Sequence, residues 1–127
     1  MKFGYTILYV NDVEETIAFY EKAFGLVRSF VHESGYGELD TGGTKLAFAR
    51  FELASSHGFA YQKSDPKSVP LGFEIALVTE DVDAAFGKAV SAGALSIQKP
   101  GKKPWGQRVG YVRDLNGFVV EICSPVG

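Results

Sequence analysis

Cysteine occurs once, at Cys123, in 127 residues. A single thiol excludes an intrachain disulfide framework and a CxxC metal knot. Histidine occurs twice, so a zinc site built mainly on imidazole would have to use both His32 and His57. No apolar run approaches the roughly 20 residues that span a bilayer. The start, Met1-Lys2-Phe3-Gly4-Tyr5, moves straight into a strand-like pattern without the apolar stretch of a signal peptide. Neither charge predominates, since 13 Lys+Arg against 15 Asp+Glu give a formal charge of -2. That balance argues against non-specific nucleic-acid binding, which needs a basic face. Glycine is plentiful, at 15 residues, yet no GxGxxG or GxxxxGK[ST] pattern occurs, so a glycine-loop phosphate cradle has no support. With 46% hydrophobic and 22% charged residues, the composition is that of a folded domain. A soluble cytoplasmic protein is expected, with neither membrane nor nucleic acid as a partner.

What the chain does contain is a repeat. Sliding the sequence by 69 residues lays Tyr5–Val13 over Glu74–Val82, matching Leu8 with Leu77, Asp12 with Asp81 and Val13 with Val82. In both halves a β-rich run gives way to a helical one. In the first, Val13, Ile17, Tyr20 and Phe24 fall on one stripe, widened by Ala23, with Phe19 well to its side. Asp12 is placed to cap this helix and Gly25 to end it. In the second, Asp81 is the cap, Val82, Ala85, Phe86, Ala89 and Val90 form the stripe, and Gly93 ends it.

Short strand-like runs follow each helix, at about 27–33, 36–41 and 44–51, then at about 95–98, 107–113 and 117–123. Asp40-Thr41-Gly42-Gly43 and Asp114-Leu115-Asn116-Gly117 supply matching turns, 74 residues apart. The order is β-α-β-β-β, twice. A single domain over 1–127 is expected, with module one at about 3–52, a connector at 53–70 and module two at about 71–124. The Ser-, Lys- and Pro-rich connector is long for a loop, so it is either mobile or covers a site.

This duplicated pattern resembles the vicinal oxygen chelate superfamily, which includes glyoxalase I, extradiol dioxygenases and bleomycin-resistance proteins. The resemblance rests on Tyr5–Val13 with Phe19-Tyr20 and Phe24-Gly25, and on the closing Val112–Ile122. That closing run is similar to the family's Asp-Pro-x-Gly-x-x-x-Glu signature, with Leu115 where proline is usual and Glu121 in place. The resemblance implies an α+β fold: tandem βαβββ modules form a partly open barrel with helices on the convex face and a cavity on the concave face. It also implies a homodimer. Strand alternation fits this layout. Phe118, Val120 and Ile122 oppose Val119, Glu121 and Cys123, and Phe73, Ile75 and Leu77 oppose Glu74, Ala76 and Val78. Leu46 and Phe48 likewise oppose Lys45, Ala47 and Ala49, and Leu8 and Val10 oppose Tyr5, Ile7 and Tyr9.

The family's four metal-ligand positions carry over to Tyr5, Ala47, Glu74 and Glu121, of which Glu121 alone is the residue the family expects. Two carboxylates without imidazole are a poor transition-metal set. The expectation is a metal-free cavity that binds a small, aromatic or cationic organic molecule through Tyr5, Tyr9, Glu74, Trp105, Gln107, Tyr111 and Glu121. No cofactor is expected. The alternative is a glyoxalase-like lyase or isomerase in which Glu74 and Glu121 hold a divalent cation weakly or act as an acid/base pair. Either glutamate could instead be paired with Lys45 or a backbone donor and do no chemistry. His32 reads as a surface residue, His57 as a loop histidine able to drape over the cavity with Phe59 and Tyr61, and Cys123 as a buried, inert thiol.

Overall fold

The two longer helices each form where an aspartate can satisfy the first free amide groups. The Asp12 side chain accepts from the Glu15 N–H at 2.9 Å, and that of Asp81 from the Ala84 N–H at 3.1 Å. The left-handed Gly25, at φ 69°, closes the first helix. The computed structural model describes residues 1–126. It contains β1 (Tyr5–Val10), α1 (Val13–Phe24), β2 (Val27–His32), β3 (Tyr36–Asp40), β4 (Lys45–Arg50) and α2 (Phe51–Ser55). After these come β5 (Glu74–Val78), α3 (Val82–Ser91), β6 (Leu95–Lys102), β7 (Arg108–Arg113) and β8 (Val119–Cys123).

The chain divides into two compact units, Met1–Lys63 and one beginning at Ser64. Each is a βαβββ module with one mixed four-stranded sheet, ordered β1-β4-β3-β2 and β5-β8-β7-β6. The first strand of each unit runs parallel to the last, and the other pairings are antiparallel. Neither sheet closes into a barrel.

In the first unit α1 covers the face that carries Leu8, Val10, Leu39, Leu46 and Phe48, all buried. The Tyr20 ring lies 5.1 Å from that of Phe48. In the second unit Val82, Phe86 and Ala89 of α3 are buried, as are Val112, Phe118, Val120 and Ile122 of its sheet and turn. Burying a side chain of this size contributes about 1.5–3 kcal/mol. The alternation expected from the sequence is thus the alternation observed.

Four details depart from it. Phe19, expected beside the α1 stripe, is buried at 6% exposure, with its ring 5.9 Å from Tyr20 and 5.8 Å from Phe24. Residues 51–55 form α2, where the strand was expected to reach 51 and the connector to start at 53. Strand β6 runs on to Lys102 instead of stopping near 98, because a register shift accommodates Pro100. Finally, the later part of the connector is anchored. The Arg113 guanidinium donates to the carbonyls of Asp65 (3.0 Å), Pro66 (3.2 Å) and Ser68 (2.7 Å), and the Ser64 hydroxyl donates to that of Asn116 (2.7 Å).

Candidate functional site: an acid pair on the second sheet

Strand register places the second unit's candidate residues. Ala76, Glu121, Tyr111 and Gln98 form one row across β5, β8, β7 and β6, and therefore share a face. Val78, Cys123, Val109 and Gly101 form the next row on that face. Glu74 precedes Ala76 by two residues on β5, so it faces the same way. Opposite Glu121, Ala76 presents only a methyl group, which leaves room for the longer Glu74 side chain to reach across.

The Glu74 carboxyl lies close enough to that of Glu121 to feel it. The Glu74 carboxyl is raised above its ordinary value. Partial burial is the largest cause, followed by the hydrogen bond to Glu121 and then by the Glu121 charge; the Lys103 ammonium pulls the other way. Lys103 also lies over the Tyr111 ring, with Nζ 5.2 Å from its centroid. The result is a close pair of acids in which Glu74 holds its proton more readily than an ordinary glutamate, with a lysine acting on it and an aromatic ring beside that lysine.

Cys123 continues the Glu121 face. Its thiol is buried and pushed up to about 11, first by burial, then by its hydrogen bond to Glu121 and the charges of Glu121 and Glu74. Such a thiol is protonated at neutral pH and is no nucleophile there, as the sequence reading expects.

Trp105 lies at the tip of the β6–β7 hairpin and is 65% exposed. A left-handed Gly106, at φ 97°, makes the turn, with Lys103 N–H donating to the Gln107 carbonyl at 2.7 Å. The Gln107 amide is engaged at both ends. Its oxygen accepts from Trp105 Nε1–H at 2.7 Å, and its nitrogen donates to the Ser124 carbonyl at 2.7 Å. This side chain positions the hairpin tip.

Tyr5 and Tyr9 belong to the first unit. Tyr5 is exposed on edge strand β1. Tyr9 packs edge-on against Tyr61 at 4.8 Å and lies 6.5 Å from the His57 ring, which stacks on Phe59 at 6.0 Å. The connector aromatics therefore gather beside Tyr9 of β1. His32 ends edge strand β2 and is exposed, as expected.

The first unit also holds a carboxylate that sequence reasoning missed. Ile7, Ala47, Glu38 and Phe30 form the row that corresponds to Ala76, Glu121, Tyr111 and Gln98. Ala47 stands where the second unit has Glu121, and the neighbouring Glu38 is buried at 8% exposure. It accepts a hydrogen bond from the Tyr36 hydroxyl at 2.8 Å. Burial, followed by this bond and the Glu38 charge, raises the Tyr36 phenol well above its usual range. Alternation in Tyr36-Gly37-Glu38-Leu39 was the available signal, with Leu39 on the helix side and Glu38 opposite.

A sequence profile described as the Glyoxalase/Bleomycin resistance protein/Dioxygenase superfamily matches residues 2–122. The chain belongs to this superfamily. A protein of Bacillus subtilis (strain 168), the uncharacterized YraH, is 29% identical over 117 residues, covering 91% of each chain. Solved structures share the fold. A glyoxalase-related enzyme from Fulvimarina pelagi is 23% identical over 98% of this chain and 88% of its own, with a TM-score of 0.84. TioX from Micromonospora sp. ML1 is 25% identical over 98% of both chains, with a TM-score of 0.72.

Superfamily membership raises the question of a metal. Among the described residues no group of three or more His, Cys, Asp or Glu side chains is arranged to hold an ion. The donors at the superfamily position are two carboxyl groups, of which Glu74 is raised above its ordinary value, and a lysine ammonium acts on that one. Imidazole is absent from the set and the adjacent thiol is protonated. This donor chemistry does not fit a resident transition-metal ion.

Proposed function

We propose that this superfamily member binds a small organic molecule on the second unit's sheet face without a resident transition metal. Glu74 and Glu121 would form the polar anchor and Tyr111 the apolar wall. The closeness of the two carboxyl groups, with Glu74 raised, carries this reading. Singly protonated, such a pair offers both a donor and an acceptor, so it suits a ligand that presents a carbonyl or hydroxyl group. Lys103 offsets the remaining negative charge, which favours a neutral aromatic ligand over a cation. Trp105, exposed two residues from Lys103, gives a fluorescence signal for occupancy.

The raised Glu74 carboxyl supports a second reading, in which the pair moves a proton and the chain acts as a lyase or isomerase. A panel of small aromatic compounds followed by Trp105 fluorescence, together with turnover of hemithioacetals, separates the two. Binding without turnover supports the first reading. Turnover that Glu74→Gln or Glu121→Gln reduces by about 100-fold supports the second. If both variants match the parent in affinity and in any turnover, the acid pair has no part in function.

A further inference from the structure

Helix α1 fixes which way β3 faces. A Cβ built on Gly37 would meet Val13 and Ile17 of α1, so Gly37 faces the helix, and Tyr36 and Glu38 on either side of it face away. Glu38 pairs with Ala47 of β4 on one side and with Phe30 of β2 on the other. Tyr36 pairs with Ala49, so β4 sets only methyl groups beside the acid and the phenol. The Phe30 ring is 6.0 Å from that of Tyr36 and is exposed. The Tyr36 phenol is raised first by burial, then by the Glu38 bond and charge, and last by Tyr5, an exposed residue near enough to act on it.

Glu38 combines deep burial with an unused oxygen. Only 8% of the residue is exposed. The Tyr36 hydroxyl donates to Oε2 at 2.8 Å, and among the described residues no second donor reaches the carboxyl group. No Lys, Arg or His among them is in an ion pair with it, Lys45 of the same face included. Tyr61 Oη is the one fully enclosed side-chain polar atom without a partner among the described residues. The unbonded Glu38 Oε1 therefore still opens onto the sheet face. A carboxylate this deep is stable as an anion when a cationic donor meets it, and aromatic rings are surroundings that a cation favours.

We propose that this face of the first unit is a site for an organic ammonium group. Glu38 Oε1 accepts a charge-assisted hydrogen bond from its N–H, and Phe30, Tyr36 and Tyr5 supply aromatic surface for its carbon body. The Tyr36 hydroxyl, engaged with Oε2, holds the carboxyl group in place and leaves Oε1 to the ligand. The site stands on the first unit's own side chains and is independent of the role of the acid pair.

The test is titration of the full chain, ¹³C-labelled at its methyl groups, with phenethylammonium chloride at constant ionic strength and with phenethyl alcohol as the neutral comparison. The expected result is a saturable shift of the Ala47, Ala49 and Ile7 methyl signals with the ammonium compound, and an affinity about tenfold weaker for the alcohol. Glu38→Gln keeps the size of the side chain and an oxygen for the Tyr36 hydroxyl but removes the charge. It should weaken the ammonium compound by about tenfold. Phe30→Ala, on edge strand β2, leaves the carboxylate in place and should weaken it by about threefold. Non-saturating shifts, equal affinity for the two compounds, or parent-like binding by Glu38→Gln would overturn the proposal. The carboxylate would then serve only to fix the Tyr36 side chain.

Discussion

Replacing Arg113 with alanine is expected to lower stability by about 3–4 kcal/mol, the scale of losing a buried charged group that holds several hydrogen bonds. Arg113 is 7% exposed. Its guanidinium donates to the Gly117 carbonyl at 2.8 Å as well as to those of Asp65, Pro66 and Ser68. One side chain thus ties the incoming connector to the β7–β8 turn. The turn is built to receive it. Asp114 accepts from the Asn116 and Phe118 N–H groups at 2.9 Å each. Gly117, at φ 90°, sits so tightly under the connector that a Cβ would fall 2.7 Å from Pro66 N. Urea unfolding measures the effect as a lower midpoint at unchanged slope. Lysine keeps the charge but loses the fork of donors, so Arg113→Lys is expected to recover less than half of the loss. A loss below about 0.5 kcal/mol for Arg113→Ala would place the residue among ordinary surface positions.

Gly37→Leu is expected to cost about 2–3 kcal/mol by overpacking. A Cβ on Gly37 would lie 3.0 Å from Val13 Cγ1 and 3.2 Å from Val31 Cγ2, and closer still to Ile17 Cδ1. Helix α1 thus approaches β3 at the one residue that lets it seat. The position has no need of a left-handed backbone, so the strain is steric and is removable from the other side. Adding Ile17→Ala to Gly37→Leu should return part of the loss, which thermal unfolding of the single and double variants detects as positive coupling. Purely additive losses would mean that the contact is not the cause.

The scaffold was legible because its signals are local and occur twice. Asp12 and Asp81 cap the helices, apolar stripes follow at helical spacing, and the sheets alternate with a period of two. Two of the departures arise where tertiary context overrides local pattern. Pro100-Gly101 looks like the end of a strand, yet Pro100 packs on Gly110 and the ladder resumes beyond it. Phe19 looks peripheral to its helix, yet it is buried beside Tyr20 and Phe24.

The site was legible only in part. Glu74 and Glu121 were singled out by the resemblance to the superfamily's ligand positions, and strand phase put each on the face opposite the bulky apolar residues. Lys103 was not, because its place beside Tyr111 depends on the register shift in β6 and on the hairpin turn at Gly106. Glu38 was hidden for another reason. The first unit's corresponding acid position is Ala47, and the carboxylate stands one strand over, at a register partner that only the sheet pairing reveals. Arg113 carried no motif pointing to the connector, because its acceptors there are backbone carbonyls some 45 residues or more away.

The central claim is that Glu121 lies close enough to Glu74 to raise its carboxyl above the ordinary value. Carboxyl ¹³C titration by NMR, in the parent and in Glu121→Gln, addresses it directly. In the parent Glu74 should titrate above the ordinary glutamate value of 4.5. In Glu121→Gln the neighbouring negative charge is gone, so the Glu74 midpoint should fall back toward that value. Two independent glutamates, each titrating in the ordinary range and indifferent to substitution of the other, would contradict the account.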